Sequence, residues 1–313
     1  MRSRCLLLLL FFAILLGAQY GCRSNSPVLS DTKKIPGYPS ASGLEYLDGH
    51  YYVIGDDAAA MLVLDSSLQI IDSIPVFPYP AKRIPKAIKP DLESIALLPG
   101  NKLLLCGSGA APSRNKGWIF DPSLNKTDSI RLDTFYHRIQ QNGIAELNIE
   151  GITAAPGFMV LSNRGSKGYP KNHLIITENR FWEKQTLAPI STVLTGTQPD
   201  SNSFNGISGL AYAKRKDLLL MTVSTEDTWN KLDDGSIGKS YLWIIRNISS
   251  KKNWKAINPN HIIDLETADP AFRGQKIESV CVSKETEQFL YLTLAADNDD
   301  GTSTLFRLVI PNR

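Results

Sequence analysis

The chain has 313 residues, with 34 Lys and Arg against 31 Asp and Glu, a formal charge of +3 and 42% hydrophobic residues. Both signs of charge are interspersed along it, so it lacks the clustered basic face that nucleic acid would require, and nucleic acid is excluded as a partner. The chain beyond its N-terminal leader is long enough for one large β domain, and nothing like a linker divides its middle.

Residues 1–22 have the layout of an export signal. Arg2 and Arg4 precede an apolar run from Cys5 to Ala18 that is too short to cross a bilayer comfortably. Small Gly21 stands directly before Cys22, and polar RSNSP comes next as the start of a tether. This arrangement resembles the lipobox of bacterial lipoproteins. The resemblance implies cleavage before Cys22, lipidation of its thiol and anchoring of an exported domain in the bacterial cell envelope. Gln19 and Tyr20 depart from that family's Leu and small residue, which leaves an ordinary signal peptide or an uncleaved anchor as alternatives. Export is implied under each. The division expected is 1–22 as signal and lipidated Cys22, 23–30 as tether, and 31–313 as a single domain.

Downstream, one pattern recurs five times: ASGLEYL at 41–47, DLESIALL at 91–98, NIEGITAA at 148–155, GISGLAYA at 206–213 and KIESVCVS at 276–283. Ser42, Glu93, Glu150, Ser208 and Glu278 fall in register at intervals of 51, 57, 58 and 70 residues, the period of a propeller blade. A second β-rich run comes after each (HYYVIGD, KLLLCGS, GFMVLSN, DLLLMTV, QFLYLTLAA), then a third, and in four repeats a fourth. The fold expected is therefore all-β, a β-propeller of five blades. A sixth would have to hide in the long 208–278 interval. The fifth repeat ends after three strands, so the segment around Pro27 to Ile35 is expected to close the ring as its outer strand, because an open edge invites aggregation. A β-sandwich also fits regular strand spacing, but it gives no reason for residue types to repeat. A closed ring predicts a monomeric domain.

First strands line a propeller's channel and strand direction alternates, so the start of each first strand and the end of each second share one mouth. Glu93, Glu150 and Glu278 are placed there, with Asp56, Asp57, Asn163, Arg164, Glu226 and Asp227, and with Arg83, Lys86 and Lys89 from the connection after the first blade. His137 and Arg138 are expected in the next connection. Converging carboxylates repel one another unless cations intervene. Ca²⁺ or another divalent cation held by Glu93, Glu150 and Glu278 is one answer, and an inward base such as Arg164, Lys276 or Arg83 is another. As a plainer alternative, the glutamates bond neighbouring backbone N–H groups and lock the blades together. DNDDGTS at 297–303 and LDDGS at 232–236 read as polar hairpins rather than ion sites. Cys106 and Cys281 read as buried free thiols.

The runs SGLEYLDGHYYVIGDD, DLESIALLPGNKLLLCGSG and NIEGITAAPGFMVLSNRG resemble the exported propellers of the phytase-like (esterase-like) and SdiA-regulated groups, which repeat an apolar-Glu-Gly-apolar signature. Glu93, Glu150 and Glu278 match the family's Glu, whereas Ser42 and Ser208 depart from it. Two readings are open. In the first, the protein is an envelope propeller that binds a small-molecule or protein ligand at its polar mouth, through Asp57, Arg83, Asn163, Arg164 and Asp227. In the second, it is a divalent-metal-dependent hydrolase of phosphoesters or esters, or a lactonase. No G-x-S-x-G, H-E-x-x-H or P-loop stands in the chain.

Overall fold

The computed structural model describes residues 26–196, 204–226, 229–230, 237–251 and 254–312. Cys22, Asp227 and LDDGS at 232–236 lie outside the described residues.

After β1 (Val28–Ile35), twenty strands build five radial sheets. The first sheet holds β2 (Ala41–Leu47), β3 (His50–Gly55), β4 (Ala60–Leu64) and β5 (Ile70–Pro75), and the second β6 (Leu92–Leu98), β7 (Lys102–Gly107), β8 (Lys116–Asp121) and β9 (Lys126–Arg131). The third holds β10 (Ile149–Ala155), β11 (Phe158–Asn163), β12 (Asn172–Thr177) and β13 (Ser191–Thr195), and the fourth β14 (Phe204–Ala213), β15 (Leu218–Glu226), β16 (Ile237–Arg246) and β18 (His261–Asp264). The fifth is β19 (Lys276–Glu285), β20 (Phe289–Asp297) and β21 (Ser303–Pro311), completed by β1, which pairs antiparallel with β21 from Val28↔Val309 to Ile35↔Ser303. The expected closure by an N-terminal strand is therefore present. The strand starts at Val28, inside the stretch assigned to the tether.

The inner strands β2, β6, β10, β14 and β19 pack in that order, and β19 returns to β2, which closes a five-membered ring. Residues two apart on a strand face one side, so each sheet offers one apolar row to each neighbouring blade. On β7, Leu103 and Leu105 pack toward the first blade, while Leu104 and Cys106 pack toward the third. The result is five apolar layers, one per blade interface. The long fourth interval holds no sixth blade among the described residues. It contributes β17 (Ala256–Ile257), which joins the third blade parallel to β13, and a short helix over Leu265–Ala268.

One expectation fails here. The connection after β9 is a helix, α1 (Asp133–Gln141), that buries Phe135, Tyr136 and Ile139. Arg138 donates to Gln185 O and Ala188 O, and His137 Nε2 lies 3.0 Å from Gln141 Nε2, so both are spent away from the mouth. Cys106 and Cys281 are buried free thiols, as expected.

Candidate functional site

Every inner strand changes register at the same place. The shift falls between Ala41 and Gly43, Leu92 and Ser94, Ile149 and Gly151, Ile207 and Gly209, and Ile277 and Ser279. The extra residues are Ser42, Glu93, Glu150, Ser208 and Glu278, the five positions of the sequence repeat. A bulge leaves one residue out of the ladder and re-aims its side chain, so the repeat is a bulge signature at one mouth of the channel. Glycine after the bulge allows neighbouring inner strands to pass closely: a Cβ on Gly209 would stand 2.8 Å from Glu278 O.

The two kinds of bulge residue act differently. Ser42 Oγ donates to Leu92 O, and Ser208 Oγ donates to Ile277 O at 2.6 Å, in each case the carbonyl just before the next blade's bulge. The serines staple blades together. The glutamates are left for the mouth. Glu150 Oε1 accepts from Asn148 Nδ2 at 2.6 Å, and Glu278 Oε1 lies 2.9 Å from Lys276 Nζ. Arg164 Nη1 stands between these two acids, 3.9 Å from Glu150 and 4.0 Å from Glu278. Its side chain crosses the bare backbone of Gly206, where a Cβ would meet Arg164 Nε at 2.3 Å. Glu93 makes no hydrogen bond or ion pair among the described residues.

Beside Glu93 lies a second charged group. Lys89 Nζ pairs with Asp56 and, at 2.8 Å, with Asp91, which also takes Arg114 at 2.7 Å and the Ser108 hydroxyl. Arg83 pairs with Asp57, and Oδ1 of Asp57 is buried without a hydrogen-bond partner. Asp91 holds its place with a left-handed backbone (φ 56°), which Asp tolerates better than most residues.

These carboxyls share too few cations. Asp56, Asp57, Asp91, Glu93, Glu150, Glu278 and Asp297 gather around Arg83, Lys89, Arg114, Arg164 and Lys276. Burial is the first cause that holds Glu93 far above the ordinary carboxylate range, with the charges of Glu150, Asp91 and Asp56 adding to it. Burial raises Glu150 to about 8, although Arg164 opposes it. Asp56 is raised to about 6 and Asp297 to about 7, again mainly by burial. Proton binding at the mouth is therefore favoured above the ordinary carboxylate range, most strongly at the neighbouring Glu93 and Glu150.

A divalent ion is tested by the donor set. One oxygen each from Asp56, Asp91 and Glu93 lie within 4.8 Å of one another, a spacing that one ion could span. Lys89 already sits on two of the three and Arg114 on Asp91, so as folded the cluster carries its own cations and an ion would have to displace the Lys89 ammonium. Glu150 and Glu278 lie outside that cluster.

The sequence profile of a family of unknown function, DUF6929, matches residues 37–310, from just before β2 into the end of β21. The chain belongs to that family. Among solved structures, glutaminyl cyclase from Myxococcus xanthus is similar, with a TM-score of 0.54 at 12% identity over 92% of this chain and 97% of that one. A DUF4623 protein from Bacteroides eggerthii DSM 20697 gives 0.43 at 10% identity, over 94% of this chain and 77% of that one. Streptogramin B lyase gives 0.41 at 10% identity, over 90% and 98%. The likeness to the cyclase extends to the propeller fold alone. A comparison by sequence with curated proteins gives no match.

Of the residues singled out by sequence in this DUF6929 chain, Glu93, Glu150, Glu278, Arg164, Asp57 and Arg83 meet at one mouth. Asn163 does not face a ligand: its Oδ1 accepts from Asn148 N at 2.7 Å, and its Nδ2 donates to Glu146 O and Arg164 O. It is a backbone clip at the end of β11. Lys86 is exposed, whereas Lys89 is buried and central. DNDDGTS is a hairpin closed by its own side chains, with Asp297 Oδ1 accepting from Asp299 N and Asp300 Oδ1 from Thr302 N, each at 2.9 Å. Arg114 was invisible to sequence reasoning, because it lies outside the repeat in a loop with no signal of its own.

Proposed function

We propose that this protein is a ligand-binding propeller whose carboxyl-rich mouth takes up a positively charged group, an ammonium or a divalent cation, in exchange for protons held by Glu93 and Glu150. One observation carries this reading: Glu93 makes no hydrogen bond or ion pair among the described residues, beside a Glu150 that burial raises to about 8. Buried carboxyls raised in this way gain most from an incoming positive charge. The reading is tested by calorimetry on the full-length protein in detergent, titrated at pH 7 with Ca²⁺ and separately with methylammonium in two buffers of different ionisation heat. The expected result is binding with proton release, weakened at least tenfold by Glu93→Gln. Absence of heat from both titrants, or binding indifferent to Glu93→Gln, overturns it.

A second reading, supported by the Asp56–Asp91–Glu93 spacing and the resemblance to phytase-like propellers, is metal-assisted hydrolysis of an ester or phosphoester. Those three carboxylates would hold a divalent ion that activates water, and Arg83 and Arg164 would attract an anionic group. Its requirement is displacement of Lys89. Ester and phosphoester turnover that depends on metal and is lost in Asp91→Asn would support it. We also propose, on the lipobox-like sequence, that lipidation of Cys22 presents the propeller on a membrane of the cell envelope. Mass spectrometry of the protein from its native membrane decides between a diacylglyceryl-bearing Cys22 and an unmodified one.

A further inference from the structure

The opposite end of the channel carries a second built site. There the last residues of all five inner strands enclose an on-axis pocket of about 350 Å³. A cleft of about 370 Å³ between the fifth and first blades adjoins it and shares Tyr46, Ser283 and Lys284 with it.

The pocket holds the acids Glu45 and Glu285, the cleft holds Arg307, and Lys284 lines both. In the pocket, both oxygens of Glu285 are committed to the backbone N–H groups of Lys214 and Arg215. Glu45 is bonded in the same way, accepting one N–H on each oxygen from Tyr46 and Leu97, and has no cationic partner among the described residues. Tyr46 and Tyr212 stand in the same lining, and tyrosine faces attract ammonium groups. Burial holds Glu45 up at about 7, as expected for a carboxyl that lacks a counter-charge. In the cleft the free charge is positive. Lys284 Nζ lies over the Tyr291 ring at 5.4 Å, with no carboxylate on it among the described residues. Arg307 is 3.7 Å from Asp31, yet its buried Nε has no hydrogen-bond partner. A second register shift in β19, between Val282 and Lys284, makes Ser283 the bulge residue where pocket and cleft meet.

We infer that this end of the channel binds a short zwitterionic ligand of the peptide class, with its ammonium group at Glu45 between Tyr46 and Tyr212 and its carboxylate at Lys284. An acid without a cation lies in the same lining as a lysine without an acid, and one ligand that bears both charges satisfies each. A purely cationic ligand would leave Lys284 unmatched, and a purely anionic one would meet Glu45.

The test is saturation-transfer NMR and calorimetry on the full-length protein in detergent, with trialanine carrying free termini, N-acetyl-trialanine and trialanine amide as probes. Free trialanine is expected to bind, and blocking either terminus to weaken binding at least fivefold. Glu45→Gln should reproduce the effect of N-acetylation, and Lys284→Met, at an exposed position, that of C-amidation. All titrations use the Glu93→Gln protein, in which the ammonium site proposed at the other mouth is removed. Equal binding of all three probes, or no saturation by trialanine, overturns the inference.

Discussion

At their first residues the five inner strands carry bulges and bring Glu93, Glu150 and Glu278 together with Arg164 and Lys276. At their last residues the same strands present Glu45 among tyrosines, bonded to backbone N–H groups and without a cationic partner among the described residues. The difference comes from what joins the strands at each end. The bulged mouth receives the blade-to-blade connections, the first of them long enough to return Arg83 and Lys89 over the channel, and the β7–β8 loop, which adds Arg114. The other mouth receives tight hairpins, such as Leu47 to His50, too short to turn a charge inward. Charge density in a propeller channel thus tracks connection length, and a crowded mouth must settle its repulsion internally or through a ligand.

The comparison is broken most severely by Arg164→Ala, which strips Glu150 and Glu278 of their shared cation. Loss of a partner from a buried charged group costs about 3–5 kcal/mol, so chemical denaturation should show a loss of that size at pH 8. It should shrink at pH 5, where Glu150, raised by burial to about 8, carries less charge. Next comes pH itself. A carboxyl whose folded value is raised takes up a proton on folding, so its contribution is intact below its unfolded value and is lost as pH rises through the folded one. For Glu150 that window runs from about 4.5 to about 8, and the melting temperature should fall across it. Glu150→Gln should flatten the fall, whereas Glu45→Gln should remove only the part that ends near pH 7. Ser208→Ala deletes one staple of the bulged mouth and should cost about 1 kcal/mol, since Ser224 Oγ still reaches Ile277 O at 3.1 Å. Smallest is Asp300→Asn, which removes an exposed pair with Lys34 at 3.4 Å and should change stability by less than about 0.5 kcal/mol. A larger loss there would mean that the 297–303 hairpin does more than turn the chain.

Some features of the fold carry a signal in the sequence that the blade repeat obscures. Leu132, Phe135, Tyr136 and Ile139 have the helical spacing of α1, but they stand between two blades, where the repeat leads one to expect an irregular connection. Others carry none. Nothing in the local sequence separates Lys86 from Lys89, three residues apart in one Pro-rich loop, and only the fold puts Lys89 against Asp56 and Asp91.

By itself the sequence determined the propeller architecture, the N-terminal closing strand and the mouth where the five repeat positions emerge. All three rest on periodicity, which steric alternation and the need to bury apolar rows enforce locally. The tertiary structure alone decided which polar residues are spent and which are available: Asn163 as a clip, the serines as staples, Lys89 as resident cation, and Glu93 and Glu45 as acids without a cation of their own. Those roles depend on pairings between segments far apart in the chain, and on bulges that re-aim side chains against the alternation from which a sequence is read.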